Sequence, residues 1–247
     1  MTARHAHLLS SLAAVFVTVA CSSYYEIPIE TPIRPKLDVS AFQRVLVAGF
    51  VSGGTEDVDG NLETTRLLRS QLRTKSDLRV IDTDVLPLMD VASQSRGAGS
   101  TPAAIREIKD LEPYEQVFAN VEYWKRIGEE YQNPLIVTGT VRFTPLSRSG
   151  IVQREQEVFD SVGRRSVVPI RTYMERKGFT LQPRFVFIDG RTGTTLHSEN
   201  FREEILYNAN QTTPALSSYF ELMDRLLPNF LSTLSSQKIK GTRVLLQ

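Results

Sequence analysis

This sequence has little cysteine, little histidine and almost no net charge, and each of these features excludes a class of protein. The 247 residues include one cysteine, so neither an intrachain disulfide nor a cluster of thiolate metal ligands can form. Lysine and arginine number 29 against 28 aspartates and glutamates, whereas a general nucleic-acid binder carries a basic surplus. The hydrophobic fraction of 41% excludes a disordered chain and predicts a globular protein.

Motifs for catalysis are missing as well. Of the three histidines, only His197 lies beyond the first seven residues, so a Ser/His/Asp triad or a histidine-based metal site would depend on it. Neither G-x-S-x-G nor H-E-x-x-H surrounds it. We expect His197 to lie on a strand and to face solvent or a neighbouring strand. The sequence therefore predicts a protein that is not an enzyme, with no cofactor, no metal and no nucleic-acid partner.

Two short motifs follow the first predicted strand. Gly53-Gly54 has the glycine content of a phosphate-binding loop, but G-x-x-x-x-G-K-[ST] and G-x-G-x-x-G are absent, so we predict a plain surface turn. Residues 55–60 match half of a calcium loop, with Thr55 at its first position and Arg66 in place of the bidentate glutamate. A solvated acidic loop is the favoured interpretation.

The amino terminus has the features of a cleaved leader. Arg4 precedes an apolar run over 8–19, which is too short to cross a bilayer as a helix and suits a signal-peptide core. Thr18-Val19-Ala20-Cys21 resembles the bacterial lipobox, in which the cysteine is lipidated and becomes the first residue. This resemblance predicts a lipoprotein signal peptide over 1–20 and acyl chains, palmitate among them, on Cys21. The alternative is an incidental thiol after an ordinary secretory signal.

The residue after the cysteine predicts the destination. Lipoproteins of Gram-negative bacteria go to the outer membrane unless an aspartate follows the cysteine, and here Ser22 follows it. The resemblance therefore implies a lipid-anchored protein of the outer membrane whose domain faces the periplasm. Cleavage would remove one basic residue, Arg4, and no acidic residue, which leaves a neutral chain. Several acyl chains, rather than a polybasic patch, would provide the anchor.

Proline content separates a tether from the folded domain. Pro28, Pro32 and Pro35 interrupt residues 22–40, where hydrophobic periodicity is weak, so residues 21–41 are predicted to be the lipidated cysteine and an extended tether. Residues 42–247 are predicted to form one α/β domain, a two-layer or three-layer arrangement of a mixed sheet flanked by helices.

Apolar runs and helical periodicity locate the elements of this domain. Strands are predicted at 44–50, 78–82 and 135–143, and helices at 62–74, at 113–131 and after Thr213-Pro214. In the last of these helices Thr213 is the predicted cap and Pro214 the predicted first helical residue. The strands at 178–188 and 194–207 are joined by Asp-Gly-Arg-Thr-Gly, which favours a tight hairpin. Pro228 predicts a kink in the last helix, and 238–246 is predicted to be a last short strand or a tail.

A charged insertion over 147–177 is the candidate partner-binding segment, and we predict a long irregular hairpin there. Its candidate binding residues are five arginines: Arg154, Arg164, Arg165, Arg171 and Arg176. A solvated hairpin without a partner remains the alternative. Crossing a membrane would need strands with alternating apolar positions, and the charged residues over 153–157 interrupt that pattern.

The order of these elements resembles a known group of envelope proteins. The matching segments are 45–50, 78–82, 136–143 and 185–198. They look like the fold shared by the curli-secretion channel lipoprotein, the penicillin-binding-protein activator lipoprotein and the amino-terminal domain of TolB. The resemblance implies a non-enzymatic adaptor or activator that binds another component of the cell envelope. The alternative that it leaves open is a subunit of an oligomeric outer-membrane export channel or secretion system.

Overall fold

The computed structural model describes residues 24–95, 105, 107–208, 211 and 213–246. The predicted leader and Cys21 lie outside these residues. The chain divides into a larger unit, Pro35–Ser235, and a smaller unit formed by the chain up to Arg34 and from Ser236 onward. Among the helices of the described residues, none is long and apolar enough to cross a membrane.

The strands, in chain order, are β1 (Tyr24–Ile33), β2 (Arg44–Gly54), β3 (Arg79–Val80), β4 (Leu135–Phe159), β5 (Arg165–Asp189), β6 (Thr195–Asn200), β7 (Glu203–Asn208) and β8 (Gln237–Leu246). In the larger unit the sheet order is β3-β2-β4-β5-β6, and β7 also pairs with β5. β2 is parallel to β3 and β4, whereas β5 is antiparallel to β4, β6 and β7. The predicted mixed sheet is confirmed.

Helices cover both faces of this sheet. They are α1 (Gly60–Lys75), α2 (Leu88–Ser95), a 3-10 helix (Ile108–Tyr114), α3 (Glu115–Ala119), α4 (Val121–Glu130) and α5 (Ala215–Leu234). Side chains of β2 alternate between two cores: Val45 and Val47 pack with α1 and α5, whereas Leu46 and Ala48 pack with the other helices. The α/β class is therefore confirmed, in its three-layer form.

Short polar side chains determine where two helices begin. Asp59 caps α1 by accepting a hydrogen bond from the Leu62 amide at 3.0 Å, so this carboxylate of the acidic loop is a helix cap. Asn120 caps α4 in the same way, accepting from the Tyr123 amide at 3.1 Å. The single helix predicted over 113–131 was therefore wrong. Its apolar spacing continues across Asn120, but the backbone there leaves the helical conformation.

The carboxyl-terminal half differs from the prediction in two places. The strand predicted over 194–207 is divided into β6 and β7 at Phe201 and Arg202, and both parts pair with β5 in one antiparallel register, Arg184 opposite Asn200 and Leu181 opposite Glu203. The final helix begins after Pro214, which occupies the cap position itself and has no side-chain hydrogen bond there, so Thr213 is not the cap. The helix continues as one element through Pro228.

Gly53 and Gly54 are not a surface turn, which corrects that prediction. They end β2, and a Cβ on Gly53 would lie 2.5 Å from the side chain of Ile105. On Gly54, where φ is +114°, a Cβ would lie 1.7 Å from the Phe143 carbonyl oxygen. The Gly54 amide donates to the Ile105 carbonyl at 2.9 Å. The glycines therefore allow close backbone packing between neighbouring segments.

The smaller unit is a two-stranded antiparallel sheet. β1 pairs with β8 along the whole of both strands, from Tyr24 opposite Leu246 to Ile33 opposite Gln237. Residues predicted to be a tether are therefore extended, as expected, but ten of them have a partner strand. Residues 238–246 belong to that strand, so the predicted domain over 42–247 differs from the larger unit at both ends.

Candidate partner-binding arm

The hairpin of β4 and β5 projects beyond the rest of the sheet. Both strands have 25 residues and pair without interruption from Leu135 opposite Asp189 to Phe159 opposite Arg165. β2 accompanies β4 only as far as Phe143, and β7 accompanies β5 only over Arg176–Leu181. We call residues 147–177 the arm. It is a two-stranded ribbon about 40 Å long at 3.4 Å per residue.

The segment is a hairpin, as predicted, but it is regular rather than irregular, because its register has no break. The turn that closes the arm is built from local hydrogen bonds. The Asp160 carboxylate accepts from the amides of Val162 at 2.9 Å and Arg164 at 2.8 Å. Gly163, with φ of +79°, supplies the left-handed residue of the turn.

The register divides the arm into two chemically different faces. Each pair joins residues of the same parity, so even-numbered side chains share one face and odd-numbered side chains share the other. The even face carries Arg148, Arg154 and Arg176 and no carboxylate. Its central side chains are partly buried, namely Val152, Ile170, Thr172 and Met174.

The odd face is balanced in charge and exposes larger apolar groups. Three acidic residues, Glu155, Glu157 and Glu175, accompany three basic ones, Arg165, Arg171 and Lys177. Ile151 and Tyr173 lie directly opposite each other on this face and are 71% and 68% exposed. Phe159 and Val162 at the tip are exposed as well.

The structure does not place the five predicted arginines on one surface. Arg154 and Arg176 lie on the even face, and Arg165 and Arg171 on the odd face. Arg164 is in the closing turn, 3.9 Å from Asp160, and Arg165 forms an ion pair with Glu157. Sequence reasoning missed Arg148, which lies on the even face. Once the register of the hairpin is known, the alternation of side chains along the strand assigns Arg148 to that face.

An ion-pair network fixes the base of the arm to β7. Arg148 donates to Glu204 at 2.5 Å, and Glu204 also accepts from Arg202 at 2.5 and 3.0 Å. The hydrogen bond from Arg202 is the main reason that the pKa of Glu204 lies below its ordinary value. The two charge-assisted contacts hold the strands where the arm leaves the sheet.

A cavity of about 700 Å³ lies beside this base, and its walls include Arg142, Arg184 and Arg202. Arg142 donates through Nε to the Gln182 side-chain oxygen at 3.0 Å, and Arg184 pairs with Glu115. Burial, helped by the nearby charge of Arg202, lowers the pKa of Arg142. The glutamates in the wall offset part of the arginine charge, so the cavity has no single-sign field.

His197 lies on β6, as predicted, in a structural contact with Glu199. Its Nε2 is 3.5 Å from the Glu199 carboxylate, and its ring packs against Phe187 with centroids 5.9 Å apart. Glu199 accepts hydrogen bonds from Lys36 and from Thr233, the latter at 3.2 Å. Within the described residues, no group of three or more His, Cys, Asp or Glu side chains could hold a metal ion.

Comparison with known proteins finds weak structural similarities. No protein-family profile and no curated protein matches the chain. The crystal structure of lipoprotein GNA1162 from Neisseria meningitidis aligns at 14% identity and a TM-score of 0.36, covering 78% of this chain and 99% of that one. The LpoB C-terminal domain from Salmonella enterica aligns at 8% identity and a TM-score of 0.33, covering 69% and 84%.

A third solved structure is that of a Helicobacter pylori protein described as a homolog of a neuraminyllactose-binding hemagglutinin. It aligns at 11% identity and a TM-score of 0.37, covering 82% of this chain and 88% of that one. All three TM-scores lie below 0.5, so these alignments assign no function to the chain.

Proposed function

We propose that the protein is a non-enzymatic lipoprotein of the outer membrane, anchored through Cys21, whose periplasmic domain binds another protein of the cell envelope through the arm. The observation that carries this proposal is the length and exposure of the arm. A ribbon of about 40 Å whose side chains over 147–177 are all exposed or only partly buried adds nothing to the core.

The composition of the arm supports a role in protein binding. Two-stranded ribbons are marginally stable alone, so a long one that serves no packing purpose is a cost to the fold. Large apolar side chains at its middle and tip, Ile151, Tyr173, Phe159 and Val162, are more exposed than a solvated hairpin needs. Aromatic and arginine side chains, which the arm also offers, are the residues enriched at interface hot spots.

An in-register shortening of the arm tests this proposal. Deleting 150–159 and 165–174 removes ten residues from each strand and joins the Ser149–Glu175 pair directly to the native turn 160–164. Because ten is even, the alternation of faces and of hydrogen-bonded pairs is preserved. We expect the shortened protein to fold with an unchanged thermal midpoint and to lose function in complementation of a deletion strain.

Site-specific photocrosslinking in living cells identifies the contact. A photoreactive residue at Ile151 or Tyr173 should give one discrete crosslinked product, and the same residue at Lys75, on the exposed side of α1, should not. Full complementation by the shortened chain, or crosslinking that is equal from Lys75 and from the arm, would show that the arm is not the partner contact.

A subunit of an oligomeric export assembly is the second candidate, and the free edges of the arm favour it. Beyond Phe143 on β4 and before Arg176 on β5, each strand has only the other as a partner among the described strands. Such edges can pair with those of a neighbouring copy. The test is the mass, by light scattering, of the detergent-extracted lipidated protein, with Cys21→Ala as the soluble control. A ring-sized oligomer favours this candidate, and a monomer in both samples favours the adaptor.

A further inference from the structure

We propose that one face of the β1–β8 sheet lies against the lipid surface beside the anchor. The proposal depends on the anchoring at Cys21 proposed above, and it is independent of the arm. It assigns a membrane contact to residues that the sequence predicts to be only a tether.

The pairing of β1 and β8 makes this sheet amphipathic. Residues of equal parity face each other, so odd-numbered side chains share one face. Ile27, Ile29 and Ile33 lie on this odd face and are 42%, 40% and 45% exposed. The even face carries the charged pair of Glu30 with Lys238, whose Nζ is 3.1 Å from the carboxylate.

Neither strand places an acidic residue on the odd face. Opposite Ile29 is Gly241, where an added Cβ meets no atom of the described residues within 4 Å. Opposite Ile27 is Arg243, which is exposed. A row of isoleucines beside a guanidinium matches the boundary between acyl chains and phosphate headgroups, because arginine can pair with phosphate while the apolar groups enter the boundary.

The length of chain before β1 indicates a lipid surface as the occupant. Two residues, Ser22 and Ser23, separate Cys21 from the first residue of β1. At about 3.3 Å per residue, the strand begins within roughly 10 Å of the lipidated residue. The headgroup layer of one leaflet is about 5–8 Å thick, so the beginning of the sheet lies at the membrane surface. A two-stranded sheet is marginally stable alone, and contact of its apolar face with lipid would stabilise it.

Single-cysteine labelling tests which face meets lipid. Acylation blocks the thiol of Cys21, so a cysteine at Ile29 on the odd face, or at Thr242 on the even face, is the only reactive thiol. Each full-length lipidated variant is labelled with an environment-sensitive fluorophore. It is then reconstituted into vesicles of phosphatidylethanolamine with phosphatidylglycerol as the minor component. Ile33→Cys provides a second odd-face position in case the Ile29 variant misfolds.

We expect the odd-face labels to shift to shorter emission wavelength and to be quenched by lipids that carry a nitroxide near the headgroup. The Thr242 label should instead be quenched by aqueous iodide. Equal iodide quenching at both faces would overturn the inference. Protection of the odd-face labels from both iodide and the nitroxide lipid would also overturn the inference. Another protein or a second copy of the chain would then cover the odd face.

The mass of the peptide that contains Cys21 separates this failure from failure of the anchoring. An unacylated cysteine overturns both the anchoring and the lipid contact. An acylated cysteine with an iodide-accessible odd face overturns the lipid contact alone. Neither result alters the complementation test of the arm.

Discussion

Gly128 lies where α4 meets the turn between β5 and β6, and its replacement by alanine should destabilise the larger unit. A Cβ on Gly128 would lie 1.7 Å from the Gly190 carbonyl oxygen, and Cβ contacts below 3.0 Å are essentially never seen. The two backbones must therefore separate by about 1.3 Å. At the other end of the helix, a Cβ on Gly193 would lie 2.1 Å from the Val121 carbonyl oxygen, so helix and turn are closely packed at both ends.

Two opposing effects determine the magnitude. Alanine stabilises a helix interior over glycine by about 1 kcal/mol. Overpacking costs about 1–3 kcal/mol, and the upper end applies because the clash is with backbone, which cannot change rotamer. The net loss in the free energy of unfolding is about 2 kcal/mol. With a urea dependence of about 2 kcal/mol per molar, the midpoint should fall by about 1 M.

The fluorescence of Trp124 makes the urea titration sensitive to helix α4. Trp124 is the single tryptophan of the chain, lies fully buried on α4, and donates from Nε1 to the Val117 carbonyl at 2.8 Å. Its fluorescence therefore reports the helix that Gly128→Ala displaces. Gly150→Ala is the matched control, because a Cβ there meets nothing within 4 Å and the strand position tolerates alanine. Equal midpoints for Gly128→Ala and Gly150→Ala would refute the packing argument.

Three further predictions concern polar contacts of the larger unit. Burial alone would raise the pKa of Glu199, but the hydrogen bond and charge of Lys36 hold it below the ordinary value of a glutamate. The stabilisation is therefore present above the unfolded pKa and lost as the pH falls through the folded pKa. Urea midpoints of the wild type and Glu199→Gln should converge under acid, and a constant gap would contradict this. Asp189 is 6% exposed and accepts from three nitrogens of Arg191, the nearest at 2.8 Å, so Asp189→Asn should cost about 1–2 kcal/mol in urea titrations. An unchanged midpoint would show that the charge is unnecessary in the turn. Tyr219→Phe removes a buried hydroxyl that donates to the Gly60 carbonyl at 3.2 Å, and calorimetry should show a loss of about 1 kcal/mol rather than a gain.

The arginines of the arm show what sequence reasoning can and cannot find in this site. Length and charge identify the insertion in the sequence, but its five candidate arginines are divided between two faces and the turn. A shift of one residue in register would move every side chain to the opposite face. The register is determined by the Asp160 turn together with pairing that continues to Asp189 at the far end of β5, so no local pattern specifies it.

Helix Gly60–Lys75, the strands that begin at Arg44 and Leu135, and the turn that begins at Asp189 follow from the sequence alone. Their signals are local: apolar runs, helical spacing and turn residues that act within a few positions. Only the tertiary structure decided that Tyr24–Ile33 pairs with Gln237–Leu246, and that Gly53 and Gly54 pack closely against Ile105 and Phe143. These contacts join residues far apart in the chain. Whether a proline-containing segment is a tether or a strand therefore depends on a partner that its own residues do not identify.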